Sequence, residues 1–283
     1  EVDGEEKDGD KVKVKGLDHF TLFIPLSPSS PGNPAGDLDQ CANGAVKDLP
    51  STTQCVGVAW QNGNLNENQS HYYEGDSIPY RAYFENLIVG QEYLATIEYD
   101  ITHGNDDLHA IDYLTSFDRT ETDADPCSDL FDSGDCSTKS PETVAIPADP
   151  NVAGHPEWIG TSQVPGEIAV YNGTNLSVKQ FGGDYYEYPD SETTRITILF
   201  EAETSDVLLA WGGHIGTRQD WRENNSAVFI SGSPYHMRLV RLGESDCIET
   251  GGNNACNIGN QDRSLSASAV IAASSITIVK DAS

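Results

Sequence analysis

The sequence predicts an all-β protein, an antiparallel β-sandwich with long disulfide-stapled loops. Three observations predict it. Short runs rich in Val, Ile, Thr, Tyr and Phe recur along the 283 residues, separated by Gly, Pro, Asn and Asp. No segment repeats its apolar residues at a convincing 3.6-residue period, although HAIDYLTSF (109–117) fits a short helix or a strand, with a helical turn the preferred reading. The six cysteines fall as local pairs, Cys41 with Cys55, Cys127 with Cys136 and Cys247 with Cys256, each bracketing a polar segment.

Residues 1–10, EVDGEEKDGD, are acidic and aperiodic and read as an arm. KVKVKG follows, and four of the 16 basic residues lie in the first 15 positions. Lysines alternating with Val12 and Val14 mark a sheet edge. In so acidic a chain they would also steer that strand onto an acidic partner. Strands are expected at HFTLFIPL (19–26), VGVAW (56–60), IPYRAYF (78–84), EYLATIEYD (92–100), TVAIP (143–147), EIAVYN (167–172), NLSVKQF (175–181), TTRITILFEAE (193–203), VLLAW (207–211), AVFISG (227–232), YHMRLVRL (235–242) and SAVIAASSITIVK (268–280). The alternation over 93–99 predicts a half-buried strand. Stretches 27–54, 118–142 and 243–264 read as long loops, each stapled by one cysteine pair. The organisation expected is an arm and edge strand over 1–16 and a jelly-roll or immunoglobulin-like body over 17–273, with 118–142 as the break if there are two lobes. A terminal strand over 274–283 completes it.

Short loops closed by disulfides gain roughly 2–3 kcal/mol each. Zinc would want closer cysteine spacing than this chain has. Disulfides imply an oxidising compartment, and a start at Glu1 without an apolar leader reads as a mature exported chain. An extracellular or cell-surface location is therefore expected. A net charge of −29 disfavours nucleic acid. No apolar run is long enough to span a bilayer, so membrane insertion is not expected. Asn68, Asn172, Asn175 and Asn224 stand in N-x-S/T sequons.

ENLIVGQEYLATIEYD resembles the corner of fibronectin-type-III-like sandwiches. There a Tyr, here Tyr93, packs on the core while its hydroxyl bonds backbone near the turn. AWQNGNLNENQSHYYEGDSIPYR (59–81), HAIDYLTS (109–116), LLAWGGHIGTRQDW (208–221), SGSPYHMRL (231–239) and GNQDRSLSASAVIAASSITIVKD (259–281) resemble an uncharacterised group of secreted bacterial and archaeal surface proteins. In that group an ITIVKD-like stretch leads into a prealbumin-like (Cna-B-type) stalk domain. In this chain the stretch is expected to stand as a terminal strand without that domain, and the resemblance implies a surface role without a catalytic one.

Three constellations could carry chemistry. Asp106, Asp107 and Asp112 lie in HGNDDLHAID, and Asp118, Asp123 and Asp125 lie in DRTETDADPCSD. Imidazole and carboxylate at short spacing in the first stretch could ligate a transition metal, and the carboxylates of either stretch could ligate Ca²⁺, although no EF-hand is present. Trp211, His214, Arg218, Asp220 and Trp221 suit a carbohydrate-binding loop with exposed indoles. No G-x-S-x-G, H-E-x-x-H or phosphate-loop motif occurs, so no enzyme is expected. In SSITIVKDAS, Ile276 and Ile278 alternate with Val279, and a strand without its own sheet can complete a neighbour's. The expected role is a structural subunit of an extracellular filament or surface assembly. Copies of itself would be its partners, through Val12 and Val14 or Ile276, Ile278 and Val279. The alternative is an adhesin or carbohydrate-binding module with glycans as partners.

Overall fold

The computed structural model describes residues 5–8, 11–14, 33–103, 108–131, 140–244 and 261–273. The strands, in chain order, are β1 (Glu5–Asp8), β2 (Lys11–Val14), β3 (Ala35–Cys41), β4 (Trp60–Gln61), β5 (Tyr72–Tyr73), β6 (Ser77–Glu85), β7 (Glu92–Asp100), β8 (Thr102–His103), β9 (Leu108–His109), β10 (Ile111–Thr115), β11 (Glu142–Ala145), β12 (Glu167–Tyr171), β13 (Gly173–Val178), β14 (Tyr186–Glu187), β15 (Thr193–Ala202), β16 (Val207–Ile215), β17 (Tyr235–Glu244), β18 (Gln261–Leu265) and β19 (Val270–Ile271). Two short helices, α1 (Pro150–Gly154) and α2 (Arg218–Trp221), interrupt them.

The chain divides into two compact units, Glu1–Pro31 and Gly32–Ser283. In the first, β1 and β2 form an antiparallel two-stranded sheet. Its register sets Glu6 opposite Lys13 and Asp8 opposite Lys11.

The second unit is an antiparallel β-sandwich. A seven-stranded sheet runs β11-β12-β16-β6-β3-β4, with β10 also pairing β16. A six-stranded sheet runs β13-β15-β7-β17-β18, with β14 also pairing β15. Alternate residues of each strand turn inward: Ile78, Tyr80, Ala82 and Phe84 from β6 meet Tyr93, Ala95, Ile97 and Tyr99 from β7 in one core. Phe84 stacks on Phe200 across the sandwich, ring centroids 5.6 Å apart. On β16 the chain reads VLLAWGGHI and is buried on both faces. Gly212 is needed there, because a Cβ at that position would meet the Ser116 carbonyl oxygen at 2.7 Å.

The tyrosine corner forms as expected. The Ile88 N–H donates to the Tyr93 hydroxyl at 2.8 Å, and the ring is buried against Phe200. Tyr93→Phe leaves that N–H without its acceptor and should cost about 1 kcal/mol in urea unfolding.

Several expectations need correction. β7 is buried on both faces, not one. Its outer residues Glu98 and Asp100 are covered by cationic side chains from the flanking strands: Arg195 reaches Glu98 at 2.6 Å, and Arg238 reaches both Glu98 and Asp100. HAIDYLTSF is strand, β9 and β10, not a helical turn. A register shift between Ile111 and Tyr113 adds a residue, so Ile111 and Leu114, three apart, both face the core and imitate a helical period. AVFISG holds a 3₁₀ turn at Ala227–Phe229, and VGVAW another at Gly57–Ala59 ahead of β4. The 27–54 and 243–264 stretches contain β3 and the start of β18. HFTLFIPL lies outside the described residues.

Cys41 and Cys55 are disulfide-bonded, Cα atoms 5.5 Å apart. Cys127 is also disulfide-bonded. Its expected partner Cys136, and Cys247 and Cys256, lie outside the described residues. No helix among the described residues is long and apolar enough to cross a membrane.

Candidate functional site

Residues assigned in the sequence to two separate constellations meet on the outer face of the seven-stranded sheet. The bulge in β10 carries Asp112, fully buried. His214, near the end of β16, sets Nδ1 2.6 Å from Asp112 Oδ1, and the Trp221 indole N–H donates to Asp112 Oδ2 at 2.9 Å. The one-turn helix α2 that presents Trp221 is capped by Thr217, whose hydroxyl accepts from the Asp220 N–H and donates to the Asp220 carboxylate. Tyr113 stacks on His214 with centroids 4.4 Å apart. His109 lies flat on Trp221 at 3.3 Å, and Trp158 meets the same indole edge-on.

A cleft of about 370 Å³ opens nearby, lined by residues that include Asn43, His71, Asp76, Glu121 and Asp123. The Cys41–Cys55 staple closes one wall. Asn43 ties the walls together: its amide donates to the His71 carbonyl at 2.6 Å and to Glu121 Oε1 at 2.7 Å, and accepts from the His71 N–H. Burial pushes the Asp76, Glu121 and Asp220 carboxyls up from the usual carboxylate range.

The remaining predicted residues are dispersed. Asp118 is exposed. Asp123 accepts from Gln54, and Asp125 accepts from the Cys127 N–H through its side chain and from the Trp60 indole through its carbonyl. Asp106 and Asp107 lie outside the described residues. Among the described residues no group of three or more His, Cys, Asp or Glu is placed to hold a metal ion. Trp211 is buried in the core beside Tyr80, and Trp221 is 1% exposed, so neither indole offers a face to a sugar. Arg218 is engaged with Glu74 at 2.9 Å and with the Ala273 carbonyl at 2.7 Å.

A His–Asp pair can serve a nucleophile only if a hydroxyl or thiol is held against the ring. Ser77 stands opposite His214 in the ladder. Its hydroxyl is buried and bonds no described residue. The Asp112 carboxylate joins β10, β16 and α2 around one buried acceptor.

The proposed assembly surfaces are partly described. Val12 and Val14 lie on β2, while Ile276, Ile278 and Val279 lie outside the described residues. The chain approaches them along β19, which pairs in parallel with β5. Beyond it the Ala273 N–H donates to the buried Glu74 carboxylate at 3.2 Å, and Arg218 holds the Ala273 carbonyl.

The sheet edges differ in how they are closed. The β18 edge is covered by Leu65, whose N–H donates to the Ser264 carbonyl at 2.9 Å and whose carbonyl accepts from the Ser266 N–H at 2.8 Å. The Glu142 carboxylate accepts from the Asn175 and Leu176 N–H groups and plugs the bulge of β13. Arg263 holds the Leu38 carbonyl on β3. On β11 the Ile146 N–H donates to the Gly166 carbonyl at 2.9 Å, so in the antiparallel ladder Glu142 and Val144 point their main-chain groups at β12. Thr143 and Ala145 then point theirs outward, and both residues are exposed. The sequence reading missed this edge, although Pro147 shortly after the strand is a signal for one.

No protein-family model matches the chain, and no curated protein matches it in sequence.

Proposed function

We propose that this chain is a structural subunit of an extracellular filament or cell-surface assembly, joined head to tail by β-strand addition through a terminal strand. The outer edge of β11 carries the reading. Thr143 and Ala145 turn their main-chain donors and acceptors away from β12 with no hydrogen bond to another described residue, and such an edge is a template for another strand. An added strand gains main-chain hydrogen bonds there, with alternate side chains for specificity. The ITIVK stretch beyond Ala273 has the alternation a donor needs, and β2 is the second candidate donor. A head-to-tail contact that does not close yields a fibre. The Cys41–Cys55 disulfide supports an oxidising, extracellular setting. The reading assigns no catalytic activity.

Ala145→Pro tests the acceptor. The Ala145 N–H points away from β12, so the substitution removes an edge donor and leaves the internal ladder intact. The variant should fold with an unchanged circular dichroism spectrum and sediment as a monomer where wild type sediments as polymer. A folded variant that polymerises like wild type would remove β11 as the acceptor.

A further inference from the structure

A second surface feature, independent of the assembly reading, lies where FGGDYYEYPD (181–190) folds back on itself. Phe181 and Asp184 exchange main-chain hydrogen bonds at 2.8 and 3.1 Å across Gly182 and Gly183. Both glycines have positive φ, +65° and +103°, as a two-residue turn of this kind requires. Tyr186 points in, and its hydroxyl donates to the Pro147 carbonyl at 2.6 Å. Tyr185 and Tyr188 stay on the surface, 40% and 36% exposed.

Tyr188 is not a loose surface ring. Its hydroxyl donates at 2.7 Å to Asp149, which is fully buried. Asp149 is itself fixed: the Asn151 N–H donates to the same carboxylate oxygen, and Gln163 bonds both the N–H and the carbonyl of Asp149. Tyr185, Tyr186 and Tyr188, with Asn151 and Asp184, line a cleft of about 320 Å³.

We propose that this tyrosine cleft binds a neutral saccharide. The C–H face of a pyranose is apolar and carries partial positive charge, so it packs on the negative face of an aromatic ring. The Asp184 carboxylate can accept from sugar hydroxyls, and the Asn151 amide can donate and accept. The volume sits at the small end of ligand sites, suited to one or two sugar rings. A chain carrying a net charge of −29 selects neutral over acidic sugars. Holding Tyr188 through Asp149 lowers the ordering cost of binding. A polyproline peptide also packs on tyrosines, but it needs a longer groove and makes less use of a carboxylate at its margin.

Saturation-transfer NMR and calorimetry with maltotriose, cellotriose, chitotriose and mannotriose test the site. At least one should bind with a dissociation constant in the range of about 0.1–5 mM. Tyr185→Ala should weaken that binding roughly tenfold or more while thermal unfolding stays unchanged, and Tyr185→Trp should retain it. Tyr188→Phe keeps the ring, loses the bond to Asp149, and should weaken binding roughly threefold. The proposal is overturned if none of the four binds at about 10 mM, or if a bound trisaccharide is insensitive to both Tyr185→Ala and Tyr188→Phe. A proline-rich decapeptide that binds the cleft when the sugars do not would overturn it too.

Discussion

Between pH 7 and pH 4 the wild-type protein is expected to lose about 3 kcal/mol of stability that a His109→Phe variant keeps. His109 is 1% exposed, and neither ring nitrogen has a hydrogen-bond partner among the described residues. Burial pushes its pKa down to about 3, and the neighbouring His155 adds to the effect. In the unfolded chain the ring takes its proton near pH 6.5. Over the window between those two values the unfolded state binds a proton that the folded state refuses. Stability from this group is therefore complete above about pH 6.5 and drains away as the pH falls toward 3. The buried carboxyls work in the opposite direction. Asp76, Asp100, Glu121, Asp149 and Asp220 are all raised, chiefly by burial, so the folded state takes their protons first and gains stability as the pH falls through that region. The raw acid curve mixes both signs. The difference between wild type and variant isolates the imidazole, because Phe keeps the stack on Trp221 without a titrating group. Urea melts at pH 7, 5.5 and 4 give the difference directly, and parallel curves for the two proteins would contradict the assignment.

Asp112→Ala should cost at least about 3 kcal/mol in urea unfolding at neutral pH. One carboxylate serves two buried partners, His214 and Trp221, on different elements. Its removal leaves two ring N–H groups without acceptors and a gap at the β10 bulge. Asp220→Ala is the comparison. That carboxylate is only partly buried and is bonded to the Thr217 hydroxyl, so its loss should cost about 1 kcal/mol. Near-equal costs for the two variants would contradict the role given to Asp112.

The strands legible in the sequence are those marked by their own apolar residues, alternating or, in β16, continuous: β6, β7, β12, β15, β16 and β17 all lie where Val, Ile, Tyr and Leu recur. β3 was not legible, because AGDLDQC gives the main core only Leu38, and the next position on that face is the polar Gln40, buried by bonding the Ser264 carbonyl. It becomes a strand because β6 supplies the ladder and because Asp39 pairs with the buried Arg81 at 2.9 Å. QDRSL in β18 is similar: Arg263 is buried by bonding the Leu38 carbonyl, a contact between residues far apart in sequence. Both faces of β7 are covered for the same kind of reason, since Arg195 and Arg238 arrive from neighbouring strands. At the site, the acidic stretches and the Trp211–Trp221 loop carried the right residues but not their grouping. Asp112 meets His214 only because β10 pairs with β16, and no local spacing encodes that. The indoles face inward because alternation along β16 sends Trp211 to the core and because α2 folds Trp221 back over His109.

Cryo-electron microscopy of the native material tests the strand-addition account most directly. Regular fibres are expected, in which a terminal strand of one subunit lies hydrogen-bonded beside Thr143 and Ala145 of the next, and removal of residues 274–283 should leave folded single subunits. Single particles from the intact chain, or fibres whose subunits touch through side chains alone with the β11 edge left to solvent, would contradict it.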